Sequence, residues 1–149
     1  MANLNWELLT PLQLGNYAEY YAKMEFASYG FEVYSSEVDE RGVDFIVKSA
    51  TGSFYEVQVK SLRESKASKY AFIGKNKMCI SNAKFIVCFI YFVNNEPPNI
   101  YLMQAPEWGA PNVALRDNTG EWGINISKAS LIYLDENYRF DKIIECLLL

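Results

Sequence analysis

The chain has 149 residues, of which 50% are hydrophobic and 15% aromatic, and its formal net charge is −4. This length and composition predict one globular domain, residues 1–149, and argue against disorder. Histidine is absent, which excludes Ser-His-Asp and Cys-His catalysis and leaves carboxylates, lysines and a metal ion as catalytic groups.

The three cysteines, Cys79, Cys88 and Cys146, are far apart and lie in apolar segments, so we expect neither a disulfide framework nor a zinc site. The N-terminal residues lack the basic and apolar regions of an export signal. The longest apolar run, residues 85–93, falls far short of the roughly 20 residues of a membrane helix. These features predict a cytoplasmic protein that does not enter a membrane.

Charge is unevenly distributed along the chain. Residues 60–84 carry seven lysines and arginines against Glu64 alone, whereas residues 1–59 and 85–149 have net charges of −6 and −4. Lysine and arginine contacts to phosphates dominate affinity for DNA, so this basic segment is a candidate DNA contact. A solvated charged loop is the alternative.

The first predicted element is a helix from about Pro11 to about Ser28. Thr10 is a favourable N-cap, proline suits the first helical position, and Gln13 completes a capping box. Gly30 marks the end of the helix. The 3.6-residue period predicts a buried stripe formed by Leu14, Ala18, Tyr21, Ala22 and Phe26.

Residues 31–34 predict a first strand, and a β-hairpin follows. Gly42–Lys48 and Phe54–Lys60 are rich in β-branched and aromatic residues and flank a short polar turn that contains glycine. Alternation along a strand places Glu56, Gln58 and Lys60 on one face of the second strand. On the first strand it places Asp44 and Ile46 together, with Val43, Phe45 and Val47 opposite.

The middle of the chain predicts a further hairpin. Residues 70–73 suggest a short strand, and residues 76–82 suggest a helical turn. Residues 85–93 are apolar without alternation, which is typical of an inner strand buried on both faces. A turn then leads to a strand at residues 100–103.

The C-terminal part begins with a predicted long loop at residues 104–123, which is rich in Pro, Gly and Asn and contains Trp108, Arg116 and Trp122. This loop could enter a DNA groove, form a dimer contact or only cover the core. Residues 123–126 suggest a short strand, and residues 131–134 are extended or helical. A closing helix is predicted at residues 141–149, with Ile143, Ile144 and Leu147 facing inward.

The polar face of the first hairpin suggests metal-dependent chemistry. A carboxylate that faces an amide oxygen and a lysine on the next strand suits Mg²⁺, which takes oxygen ligands and needs one or two protein carboxylates. The lysine would orient or deprotonate a water molecule, or stabilise charge that develops on a phosphate. Phosphodiester hydrolysis uses this chemistry. The alternative is a hairpin whose polar face is only solvated.

Gly42-Val43-Asp44 followed by Gln58-Val59-Lys60 resembles the PD-(D/E)XK nuclease superfamily, in its Gln-x-Lys variant. The resemblance implies a restriction-endonuclease-like α/β fold, with a central mixed β-sheet of about four to five strands flanked by helices in the order αβββαβ. It also implies an endonuclease that hydrolyses DNA phosphodiesters and leaves a 5′-phosphate.

The resemblance further implies roles for individual residues. Asp44 would be the principal ligand of Mg²⁺, for which Mn²⁺ would substitute, and Lys60 would orient the attacking water. The other implied metal ligands are the side-chain carbonyl of Gln58, the backbone carbonyl of Val59, and the helix-borne carboxylate of Glu19, with Glu25 as its alternative. Glu56 is a further carboxylate near the site.

The expected partner is DNA, in duplex form and cut at specific sites. The residues predicted to contact its phosphates are Arg63, Lys66, Lys69, Lys75 and Lys77. Cutting two strands at a symmetric site favours a homodimer or higher homo-oligomer. Two alternatives remain: a catalytically inactive relative that binds DNA or protein, and a cytoplasmic interaction protein such as an immunity or regulatory factor.

Overall fold

The computed structural model describes residues 2–37 and 42–148. The helices are a 3₁₀ turn at Trp6–Leu8, α1 (Pro11–Ser28), a 3₁₀ turn at Ala105–Gly109, α2 (Lys128–Asn137) and α3 (Phe140–Leu148). The strands are β1 (Glu32–Ser35), β2 (Phe45–Lys48), β3 (Phe54–Arg63), β4 (Tyr70–Gly74), β5 (Phe85–Phe92), β6 (Asn99–Gln104), β7 (Leu115–Asn118) and β8 (Glu121–Asn125).

The main sheet has five strands in the order β1-β2-β3-β5-β6, and a smaller sheet has the order β4-β8-β7. In the main sheet β3 and β5 run parallel, and the other neighbouring strands pair antiparallel. The predicted mixed sheet and its initial αβββ order are therefore confirmed. Every residue of β5 is buried, as its unbroken apolar sequence predicts.

Each face of the main sheet is covered by a hydrophobic core. On one face α1 and α3 pack against alternate residues of β2, β3, β5 and β6. On the other face the smaller sheet, the second 3₁₀ turn and α2 cover β5 and β6. Among the described residues, this second core includes no residue of β1 or β2.

Helix α1 begins as its sequence predicts. The Thr10 hydroxyl accepts from the Gln13 N–H at 3.2 Å, and the Gln13 side chain accepts from the Thr10 N–H at 2.9 Å. This capping box satisfies two N–H groups that a free helix end leaves without partners. Four members of the predicted stripe are buried and Tyr21 is partly buried, so α1 is fixed on the main sheet.

The connection between β3 and β5 differs from the predicted order. It contains β4 as the sequence suggested, but the described residues 76–82 form turns and no helix. Strand β4 pairs with β8, so the crossover is held by a strand pair that the C-terminal part of the chain supplies. The αβββαβ order thus lacks its second helix, and β4 stands in its place.

The predicted long loop at residues 104–123 is wrong. It holds the second 3₁₀ turn and most of the β7–β8 hairpin, and its two tryptophans are core residues with exposed fractions of 1% for Trp108 and 9% for Trp122. Gly123 lies within β8, where the Tyr70 ring packs over it and leaves no room for a Cβ. Pro, Gly and Asn here serve tight turns and close packing.

The C-terminal helices complete the two cores. Residues 131–134 belong to α2, which begins at a capping box between Ser127 and Ser130. In α3, Ile144 and Leu147 are buried and Ile143 is partly buried, as predicted. None of the helices in the described residues has the length and apolarity of a membrane span.

Candidate active site

The candidate site lies where β2 and β3 separate. Their paired residues end at Phe45 and Val57. Beyond this pair, the Val59 N–H donates to the Asp44 carboxylate oxygen Oδ2 at 2.7 Å. A side chain thus accepts the hydrogen bond that a backbone carbonyl would accept in a continuous strand pair. The Asp44 N–H still donates to the Val57 carbonyl at 2.9 Å. The carboxylate is therefore fixed by the strand that carries the other predicted site residues.

The Gln58 side chain is buried and turns its nitrogen toward Asp44. Nε2 donates to Asp44 Oδ2 at 3.1 Å and to the Val59 carbonyl at 3.2 Å. The opposite orientation would set an amide oxygen against two acceptors, so the hydrogen bonds determine which way the amide points. The sequence predicted that the Gln58 oxygen shares a cation with Asp44. In this structure the nitrogen occupies that position, and metal ligation through the oxygen requires the amide to turn over.

Gly42 brings a second segment close to Gln58. Its φ of +72° lies in the left-handed region. A Cβ at this position would lie 3.2 Å from Gln58 Oε1 and 3.3 Å from both Cβ and Cδ of Lys77. Gly42 thus fits closely between the Gln58 amide and the carbon chain of Lys77, and it places Lys77 at the border of the site.

We expect Gly42→Ala to destabilise the protein more than Gly52→Ala. Both glycines have positive φ, so alanine costs about 1 kcal/mol of backbone strain at each. At Gly52 no atom lies within 4 Å of an added Cβ, whereas at Gly42 the added methyl must also displace Gln58 or Lys77. Urea unfolding of both variants measures the difference, and equal losses of stability would contradict the close packing.

Lys60 lies two residues after Gln58 on β3, and its side chain is partly buried. Val59 packs on the core beneath α1, and Leu62 packs on the opposite core. Since side chains alternate along a strand, Gln58, Lys60 and Leu62 share the face that lies toward the smaller sheet. The structure therefore keeps Lys60 and Gln58 on one face, as predicted.

Val43 does not lie where the alternation predicted. Phe45 and Val47 are fully buried beneath α1, but Val43 packs against the core on the other side of the sheet. The reason is that residues 42–44 precede β2 and do not follow the pleat of a strand.

Two carboxylates of α1, Glu19 and Glu25, are partly buried. Glu19 pairs with Lys23 at 3.2 Å, and Lys23 Nζ lies 5.6 Å from the centre of the Phe45 ring, next to Asp44 in the chain. Burial and the charges of Glu25 and Asp44 raise the pKa of the Cys88 thiol. A role for either glutamate as a metal ligand stays a prediction.

The basic residues that were predicted to contact DNA lie in different surroundings. The Arg63 guanidinium donates to the carbonyls of Trp6 and Leu9, so it holds the N-terminal segment, a use that the sequence did not predict. Lys75 pairs with Asp117 and lies over the Trp122 ring. Lys66 and Lys69 are exposed between β3 and β4. DNA contact stays a prediction for all of these and for Lys77.

A cleft of about 950 Å³ adjoins the site. Its floor crosses four strands along one line of paired residues, since Tyr34 pairs with Ile46, Ile46 with Glu56, and Glu56 with Phe85. Its wall is the turn after β4, and the remaining lining residues are Ser35, Ser36, Val43, Lys75, Asn76, Lys77, Met78, Cys79 and Asn82. The cleft is not apparent from the sequence, because its wall and floor are far apart in the chain.

The oxygen atoms at the site suit a hard cation. Asp44 Oδ2 and the Val59 carbonyl both point at Gln58 Nε2, a donor that carries partial positive charge. Carboxylate and carbonyl oxygens are the ligands that Mg²⁺ takes, and it completes its shell with water. The described residues hold no group of three or more His, Cys, Asp or Glu side chains arranged for a metal. The donor set therefore fits a cation held by few protein ligands.

Two solved structures share this arrangement of elements. One is the Holliday junction resolvase Hjc of the archaeon Archaeoglobus fulgidus, with 8% identity and a TM-score of 0.55, covering 87% of this chain and 93% of the resolvase. The other is the bacterial homing endonuclease I-Ssp6803I, with 14% identity and a TM-score of 0.57, covering 90% of each chain. No family model and no curated protein sequence matches the chain.

Both neighbours are restriction-endonuclease-like nucleases. The chain therefore has the restriction-endonuclease-like fold that Asp44, Gln58 and Lys60 led us to expect.

Proposed function

We propose that the chain is a cytoplasmic, Mg²⁺-dependent endonuclease that hydrolyses DNA phosphodiester bonds. The observation that carries this proposal is the position of Asp44, whose carboxylate is tied to Gln58 and to the Val59 N–H, with Lys60 one step along the same face of β3. A carboxylate, carbonyl oxygens and a lysine at one point of the sheet are the groups that metal-dependent phosphodiester hydrolysis needs.

Asp44 and the Val59 carbonyl would hold the cation, and Gln58 would join them by turning its amide oxygen inward. The bound cation would supply Lewis-acid stabilisation of the phosphate and a more acidic water. Glu19 would add a second carboxylate from α1. Because Gln58 is neutral, this site has one negative charge fewer than a Glu-x-Lys site, which makes the contribution of Glu19 more important.

Lys60 would position the attacking water and stabilise the charge that grows on the phosphate. Its partial burial supports this role, because a charge acts more strongly where water is partly excluded. We further propose that the substrate is duplex DNA cut at specific sites, that the product carries a 5′-phosphate, and that two copies of the chain act together.

The test is a plasmid-nicking assay with Mg²⁺, with Mn²⁺ and with EDTA, in which we expect cutting only with a divalent cation. A plasmid can lack the recognised site, so DNA of random sequence is assayed in parallel. Absence of cutting on both substrates, together with no binding of Mn²⁺, would overturn the proposal.

Lys77 is the basic residue best placed to contact DNA beside the site. We expect Lys77→Met to weaken DNA binding and to reduce the slope of log K against log salt by about one, because one phosphate contact is lost. Methionine preserves a carbon chain to pack on Gly42, so the site keeps its shape. Fluorescence anisotropy over a series of salt concentrations measures the slope.

Lys128→Met is the matched control, since Lys128 is also exposed but begins α2 outside the basic segment. The proposed contact would be refuted if both variants kept the slope of the natural protein.

The second candidate is a catalytically inactive protein that binds DNA or another protein through the same fold. The Gln58 amide favours it, because it already satisfies Asp44 Oδ2 and the Val59 carbonyl without a cation. Salt-dependent DNA binding without cutting or metal binding would identify this alternative.

A further inference from the structure

The floor of the cleft offers an aromatic ring and aliphatic surface to a ligand. Tyr34 is 47% exposed and Ile46 is 37% exposed, although most side chains of this size are buried elsewhere in the fold. The Tyr34 hydroxyl donates to Glu32, and its ring contacts the Phe54 ring with centroids 6.4 Å apart. An exposed aromatic ring is a suitable platform for stacking a flat group.

The wall of the cleft is polar and firmly attached. Lys75 N–H donates to the Gly120 carbonyl at 3.0 Å, and the Trp122 indole donates to the Met78 carbonyl at 3.1 Å. These bonds fix the turn to the β7–β8 hairpin. Asn76 and Lys77, an amide and a lysine side chain, are among the residues that line this wall. Amides read the edges of bases, and ammonium groups contact phosphates.

The cleft also lies next to the candidate catalytic residues. Glu56 on its floor precedes Gln58 by two residues on β3, which is about 7 Å along a strand. Lys77 belongs to the cleft and also borders Gln58 through Gly42. A nucleotide in this cleft would therefore be adjacent to a phosphate held at Asp44 and Lys60.

We propose that the cleft binds an unpaired nucleotide of the DNA substrate, next to the phosphodiester that is cut. This proposal rests on the proposed nuclease function and defines its substrate class. In a paired duplex both faces of each base are stacked, so a base reaches the Tyr34 ring only when it leaves the stack. A volume of about 950 Å³ accommodates one nucleotide with its flanking phosphates.

Two DNA duplexes of the same sequence test the proposal, one fully paired and one with a single unpaired 2-aminopurine. Binding is measured by anisotropy and by 2-aminopurine fluorescence in EDTA, so no cutting is needed. We expect the DNA with the unpaired base to bind roughly 5- to 100-fold more tightly, which is the affinity equivalent of stacking one base. Equal affinity for the two DNAs, or binding to neither, would overturn the proposal.

Tyr34→Ala should remove this preference, and Tyr34→Phe should keep it. Tyr20→Ala is the matched control, because Tyr20 is 66% exposed on α1 and lies outside the cleft. Circular dichroism verifies that each variant folds. A preference that persists in Tyr34→Ala would sink the proposal.

Failure of the nuclease function has a different signature. If the protein prefers the unpaired base but cuts no DNA, the proposed nucleotide site is supported and the proposed nuclease function is refuted. If the protein cuts DNA with Mg²⁺ but shows no preference for the unpaired base, the nuclease function is supported and the nucleotide site is refuted.

Discussion

Lys60→Ala is expected to lower the rate of Mg²⁺-dependent DNA cleavage by at least about 100-fold, the usual contribution of a positioned proton-transfer group. The loss should appear in the rate at saturating DNA, because Lys60 is assigned to the reacting water and phosphate. Stability should change by less than about 1 kcal/mol, since the side chain that is removed is only partly buried.

Single-turnover cleavage and urea unfolding measure the two effects. Lys128→Ala serves as the control for loss of one lysine far along the chain. Lys60→Arg separates charge from proton transfer, because a guanidinium stays charged and cannot act as a base. We expect this variant to remain at least about tenfold slower than the natural protein. Cleavage that survives in Lys60→Ala would remove Lys60 from the mechanism.

Replacements of Asp44 should separate metal binding from folding. Asp44→Asn retains an oxygen that accepts from Val59 N–H and Gln58 Nε2, but it loses the charge that attracts a cation. Asp44→Ala removes the acceptor as well and leaves both donors without it. An unsatisfied buried donor costs about 1–3 kcal/mol. We therefore expect both variants to lose cleavage and Mn²⁺ binding, and only Asp44→Ala to lose about that much stability.

Calorimetric titration with Mn²⁺ and urea unfolding test the pair of variants. Mn²⁺ affinity in Asp44→Asn equal to that of the natural protein would show that Asp44 is not the principal ligand. Equal stability of Asp44→Ala and the natural protein would show that the contact with Val59 contributes little to folding.

Local patterns in the sequence were sufficient to predict much of the main sheet. The start of helix α1 is predicted by Thr10, Pro11 and Gln13, because a capping box and an N-terminal proline lie within four consecutive residues. Strand β5 follows from its unbroken apolar run, and the Asp44 hairpin follows from alternation. Each of these elements is specified by neighbours in the sequence, so its type can be predicted without the fold.

Other features depend on residues that are distant in the chain. Gly123 ends the predicted loop and begins the predicted strand at residues 123–126, and only the Tyr70 ring that packs over it shows why the residue is glycine. Trp108 is buried in the core, where its indole N–H donates to the Gly123 carbonyl. The turned amide of Gln58 and the use of Arg63 at Leu9 are likewise set by tertiary contacts. Spacing predicted that Asp44 and Gln58 lie side by side, but not which of their atoms face one another.

The β4–β8 pairing also has a thermodynamic consequence. The cleft lies between the two sheets, since its floor belongs to the main sheet and its wall is hydrogen-bonded to the smaller sheet. A ligand that contacts both floor and wall stabilises the packing of the two sheets. By thermodynamic reciprocity, the packing of the sheets raises the affinity for the ligand by the same free energy. Substitutions in the β7–β8 hairpin, far from Asp44, would thus alter affinity at the cleft without touching any ligand.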